Sequence, residues 1–172
     1  MNREPVAALL VLAVGNPSRG DDALGPALLD ALHAQGADAV DDVELLTDFQ
    51  LQVEHALDLQ GRRAVLFVDA ARPGALAAGP GVALSALAPA QALPALSHAL
   101  SASAVLHVAR GLGGPLPPAW QLAIEGAAFG LGEPMSTAAK ARLQPALALA
   151  QGWIAARRIE AGTQGPVEAA HA

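Results

Sequence analysis

The stretch AALLVLAVGNPSRGDDALG, residues 7–25, decides how this chain folds. Eight apolar residues, with no polar alternation, read as a strand buried on both faces. The run stops at Gly15-Asn16, and Asp21 and Asp22 then stand side by side before a helical pattern begins. Leu24, Leu28, Ala31 and Leu32 mark one side of that helix. Pro26 must lie in its first turn, because deeper inside it would break the backbone ladder.

The same alternation recurs downstream. DVELLTD (42–48) reads as a second strand, and QLQVEHALDLQG (50–61) as a helix that Asp48 could cap and Gly61 could end. RAVLFVDAARPG (63–74) supplies a third strand, again apolar and again closing on a carboxylate, Asp69. GVALSAL (81–87) reads as a weaker strand, SASAVLHVARGLGG (101–114) as a helix, and AWQLAIEG (119–126) as the last strand. Ser136 or Thr137 opens a long helix in which Pro145 and Gly152 are candidate kinks. Strands alternating with helices predict an α/β three-layer sandwich, with a mostly parallel twisted sheet of about five strands and helices on both faces. We expect one domain over residues 1–158 and a flexible C-terminal tail over 159–172.

Bulk composition narrows the function. The chain has 172 residues, enough for one domain burying roughly two thirds of its unfolded surface. A formal charge of −6 with only 10 basic residues argues against a nucleic-acid surface. The absence of cysteine removes disulfides, thiolate nucleophiles and thiolate metal sites, so a metal would be held by carboxylate and imidazole. MNREPVAALL lacks the pattern of a signal peptide, which predicts a cytoplasmic protein. From Pro73 to Ala109 there is no Asp, Glu, Lys or Arg, but Pro73, Pro80, Pro89 and Pro94 interrupt the run, so it reads as buried loops and helices and not as a membrane span.

In a parallel sheet the functional crevice lies outside the carboxyl ends of the strands. That rule gathers Asn16, Asp21 and Asp22 after strand one, Asp48 after strand two and Asp69 after strand three. Each has a plain alternative: helix caps for Asp21, Asp22 and Asp48, a turn for Gly15-Asn16-Pro17. Asp69 follows AVLFV and needs a partner. Three carboxylates at one edge suggest a cation site or an acid/base site. Of the five histidines, His171 lies in the tail, His33 suits a helix end, His55 sits beside Glu54, and His107 lies in an apolar helix. His98, in the loop PALSHALSAS, could reach the sheet edge. No G-x-S-x-G, H-E-x-x-H, G-x-G-x-x-G or Walker motif is present.

These residues resemble a known family. GNPSRGDDALG after a buried N-terminal strand is similar to the signature of the hydrogenase maturation endopeptidases, whose second signature carboxylate maps onto Asp22. Asp69 in VLFVDAA and His98 in LSHALSAS match the family's other two metal-binding positions, and well-known members carry Glu where this chain has Asp22. DFQLQVEHALDL looks closest to the branch serving cytoplasmic NAD-reducing or bidirectional hydrogenases.

The resemblance implies an endopeptidase that removes the C-terminal extension of a nickel–iron hydrogenase large subunit once nickel is inserted. Asp22, Asp69 and His98 would be both its metal-sensing and its catalytic residues, and Asn16, Asp21 and Asp48 its positioning groups. The nickel would belong to the substrate precursor, with no tightly bound cofactor of the protease's own. The expected partner is that nickel-loaded precursor, with no nucleic acid, no membrane and a monomeric enzyme. Two other readings stand beside it: a flavodoxin-like module holding a phosphate or nucleotide, which the paired aspartates disfavour, and a nickel chaperone without proteolysis.

Overall fold

The computed structural model describes residues 6–76, 79–93 and 100–163. Five strands form one sheet: β1 (Leu9–Val14), β2 (Val43–Asp48), β3 (Ala64–Ala71), β4 (Val82–Leu87) and β5 (Ala119–Glu125). Their order is β2-β1-β3-β5-β4, parallel except for β4, which runs antiparallel to β5 at one edge. The helices are α1 (Leu24–Ala34), α2 (His55–Asp58), α3 (Ala102–Gly111) and α4 (Thr137–Thr163), with a 3-10 turn over Gly20–Ala23.

Both faces of the sheet are covered, which accounts for the unbroken apolar runs of β1 and β3. On one face Leu9, Val11 and Ala13 of β1 and Leu66 and Val68 of β3 meet α1 through Leu24, Leu28 and Leu32, and α4 through Ala146, Ala150 and Trp153. On the other face Leu10, Leu12, Val65 and Phe67 meet Ala56 and Leu59 of the α2 segment and Val105 and Leu106 of α3. All of these side chains are buried. Pro26 falls in the first turn of α1, as its missing N–H requires.

Three expectations shift. The predicted helix over 50–61 contracts to the four residues of α2, because Leu51 turns into the core and the Gln52 N–H is taken by the His55 ring at 2.8 Å. Asp48 is therefore no helix cap: it ends β2, seven positions before α2 begins at His55. At the other end α4 runs unbroken through Pro145 to Thr163, five residues past the point where the tail was expected to start, and residues 164–172 lie outside the described residues.

Candidate active site

Backbone register sets the stage. Ala13 pairs with Val68 and Val14 with Asp48, so Asp69 stands one step on, level with the ends of β1 and β2. On β3, Asp69 shares the face of Val65 and Phe67, the one covered by α2 and α3. Past this edge lies an open cleft of about 710 Å³. Its walls include Asn16, Arg19 and Asp22 from the β1–α1 loop, Leu51 from the β2–α2 loop, Asp69 from β3, Arg72 just after it, and Phe129 from the β5–α4 loop.

The adjacent aspartates part company. Asp22 faces the cleft, where its Oδ2 accepts the Asn16 backbone N–H at 2.7 Å. Asp21 turns inward and is fully buried. There it accepts the N–H groups of Ala127 at 2.6 Å, Ala128 at 3.0 Å and Ser136 at 2.6 Å, and the Ser136 hydroxyl at 2.7 Å. Burial alone would raise its pKa, but these four donors together outweigh it and hold the carboxyl below its usual range. Asp21 thus ties the β1–α1 loop to the β5–α4 loop and carries no chemistry of its own at the cleft.

The glycines of the stretch 15–25 serve the same geometry. Gly15 has φ +148°, and a Cβ there would lie 1.9 Å from the Asp22 carbonyl oxygen. A Cβ on Gly25 would lie 2.5 Å from the Val14 carbonyl oxygen, so α1 can rest on the end of β1 only without one. Asn16 acts through its backbone on Asp22, while its side chain accepts the Ser18 N–H at 2.9 Å and closes the turn.

Asp69 is half-buried, and burial pushes its carboxyl up to about 6. The Ala70 N–H opposes that rise, and the negative charge of Asp22 adds to it. The two acids therefore feel one another across the cleft. Behind Asp69 a small cavity of about 90 Å³ is lined by Ser103, Gln121 and apolar side chains of the core.

Asp48 departs from the expected cluster. It borders a separate apolar pocket with Gly15, Pro17, Pro26 and Phe49, accepts the Phe49 N–H at 2.6 Å, and faces the His55 Nε2 at 3.3 Å. Since the His55 Nδ1 accepts from Gln52, its proton sits on Nε2 and points at Asp48. This pair fixes the β2–α2 loop and is not in the cleft. His107 donates to the Ala90 carbonyl at 2.7 Å and His33 pairs with Asp38 at 2.9 Å, both structural roles. His98 lies outside the described residues; Leu100, two positions on, lines the cleft and donates its N–H to the Leu51 carbonyl at 3.3 Å. Among the described residues no three His, Asp or Glu side chains gather closely enough to hold a metal ion. Arg19, Arg72 and Phe129 were not foreseen as cleft residues. Arg19 lies inside the signature stretch, and Phe129 follows the carboxyl end of β5, so the strand-end rule could have found both.

No family model matches this sequence, and no curated protein does. Solved structures do match. The hydrogenase maturating endopeptidase HybD from E. coli superposes with a TM-score of 0.67 at 21% identity, over 87% of this chain and 93% of that one. The NiFe hydrogenase maturation protease HybD from Thermococcus kodakarensis gives 0.63 at 19% identity, over 85% and 98%. The NiFe hydrogenase maturation protease HycI from the same organism gives 0.62 at 22% identity, over 86% and 92%. At these identities the likeness establishes the fold, which this chain shares over nearly its whole described length.

Proposed function

We propose that this protein is an endopeptidase that removes the C-terminal extension of a nickel–iron hydrogenase large subunit after nickel insertion. The observation that carries the reading is that Asp22 and Asp69 line one cleft at the carboxyl edge of the sheet. The fold shared with hydrogenase maturation proteases of known structure supports it. Asp22 and Asp69, with His98 as the third ligand, would meet the nickel of the precursor. Two oxygens and one imidazole make a modest donor set, able to sense a metal without stripping it from a thiolate cage.

A carboxylate held in the cleft beside the metal also suits hydrolysis. Asp22, with its Oδ2 held by the Asn16 N–H, is placed to take a proton from an attacking water. Passed on from Asp22, that proton can go to the amine leaving the broken peptide bond, while Asp69 stays with the metal. A binding module for phosphate fits less well, because both acids of the cleft repel an anion. The cleavage reading also separates from a nickel chaperone by mass alone. Incubation with the nickel-loaded precursor shortens the large subunit by a C-terminal peptide if the protein is a protease, and leaves its mass unchanged if it only carries metal. The branch serving NAD-reducing hydrogenases, suggested by DFQLQVEHALDL, is the part of this proposal to test with several precursors. No helix among the described residues is long and apolar enough to cross a membrane; a cytoplasmic location is part of the proposal.

A further inference from the structure

The arginines of this chain divide into two groups. Arg62, Arg142 and Arg158 pair with Glu44, Glu125 and Asp42. Arg157 pairs with Glu160 and lies over the Trp120 ring at 4.5 Å, while Arg63 and Arg110 donate to the Arg157 and Ala90 carbonyls. Arg19 and Arg72 alone among the described arginines have side chains with no hydrogen bond or ion pair to a described residue. Both line the cleft that holds Asp22 and Asp69. In a chain with formal charge −6 and 16 acidic residues, two unused guanidinium groups have met at one cleft.

Neither arginine is on a loose tether. The Arg19 N–H is bonded to the Asn16 carbonyl at 3.0 Å, and its own carbonyl accepts the Asp22 N–H at 3.1 Å. Gly20, next to it, is packed so closely that a Cβ would lie 2.5 Å from the Ala128 carbonyl oxygen. Arg72 follows β3 directly, and its carbonyl accepts the Ala75 N–H at 3.0 Å. A guanidinium cannot lose its charge and offers a planar fork suited to a carboxylate. The acids in the same cleft would repel a small free anion. A ligand that satisfies both must therefore present a carboxylate to the arginines and a different group to Asp22 and Asp69. A peptide does this, since its backbone can carry the two along one strand.

We propose that Arg19 and Arg72 form a carboxylate-binding subsite for the peptide substrate, taking an acidic side chain or the terminal carboxylate of the segment to be removed. This rests on the proteolytic reading above for the identity of the peptide, but its binding can be read without cleavage. The probe is a fluorescent peptide spanning the precursor's cleavage site and C-terminal extension. It is made in three forms: native, with Asp and Glu changed to their amides, and with a C-terminal carboxamide. Anisotropy titrations use the full-length protein and its R19Q, R72Q and double variants.

Each single variant weakens binding of the native peptide about tenfold, as for loss of one charge-assisted hydrogen-bonding partner. The form lacking the recognised carboxylate binds wild type as weakly as the native form binds the double variant, and which form that is identifies the source of the carboxylate. In processing assays KM rises while kcat stays within about twofold, the pattern of lost substrate binding. Equal affinities for all three peptides, or a fall in kcat with KM unchanged, overturn the subsite. A wild-type protein that leaves the precursor intact but still discriminates among the peptides overturns the protease reading and keeps the subsite.

Discussion

Asp21 and Asp22 are neighbours in the chain with opposite fates: one is fully buried under four hydrogen-bond donors, the other faces the cleft. The 3-10 turn of Gly20–Ala23 turns their side chains apart. Their adjacency costs little, because the inner charge is fully solvated by protein N–H and O–H groups. What looks in the sequence like a paired acid site is one buried anchor and one carboxylate facing the cleft.

The anchor predicts a loss of stability. Asp21→Ala leaves three backbone N–H groups and a hydroxyl without their acceptor, and unfolding should become easier by about 3 kcal/mol. In thermal unfolding that is a fall of roughly 6–12 °C for a chain of this size. The lowered pKa of Asp21 stabilises the fold above the ordinary carboxylate range and stops doing so as pH falls below it. The variant should accordingly differ least from wild type in acid.

Asp69 has the opposite sign. Its carboxyl is raised to about 6 from 3.8, so the folded state holds a proton that the unfolded chain has released. Stability therefore falls as pH rises from about 4 to 6 and stays lower above it, by roughly 2–3 kcal/mol at most. Asp69→Asn should abolish processing and yet melt at higher temperature than wild type at pH 7, with the gap closing by pH 4. A variant less stable than wild type at pH 7 would show that the carboxylate is needed for folding.

Gly15→Ala tests the loop geometry. The added methyl cannot coexist with the Asp22 carbonyl, so the turn must open and Asp22 must leave the Asn16 N–H. Processing should fall by at least about a hundredfold, the scale of a misplaced catalytic group. A fold that survives, by circular dichroism, separates this from general unfolding.

The histidines offer a contrast. His98→Ala should abolish processing if His98 is the third ligand, whereas His107→Ala should keep most of it, since His107 is spent on the Ala90 carbonyl. Normal cleavage by His98→Ala would remove that residue from the site.

The fold was legible because buried parallel strands announce themselves: LLVLAV and AVLFV have no polar alternation, and each run ends at a polar residue within two positions, Asn16 and Asp69. The strand-end rule found Asp22 and Asp69 as a pair. It misassigned Asp48, whose sequence position is equivalent but whose side chain is claimed by Phe49 and His55 in a fold-specific contact across seven residues. Asp21 could not be told from Asp22 by pattern, because the groups that bury it come from residues 127–136, more than a hundred positions away. The place of Arg19 at the cleft was within reach of the strand-end rule, but what sets Arg19 and Arg72 apart was not: every other described arginine is engaged, which only coordinates reveal.

The claim on which the account rests is that Asp22 and Asp69 form one metal-conditioned hydrolytic site. It is tested most directly by weighing the large-subunit precursor after incubation, nickel-loaded and nickel-free, with wild type and with Asp22→Asn. The account predicts a shortened subunit only from wild type with nickel-loaded precursor. Equal shortening of both precursors, or shortening by Asp22→Asn at the wild-type rate, would contradict it.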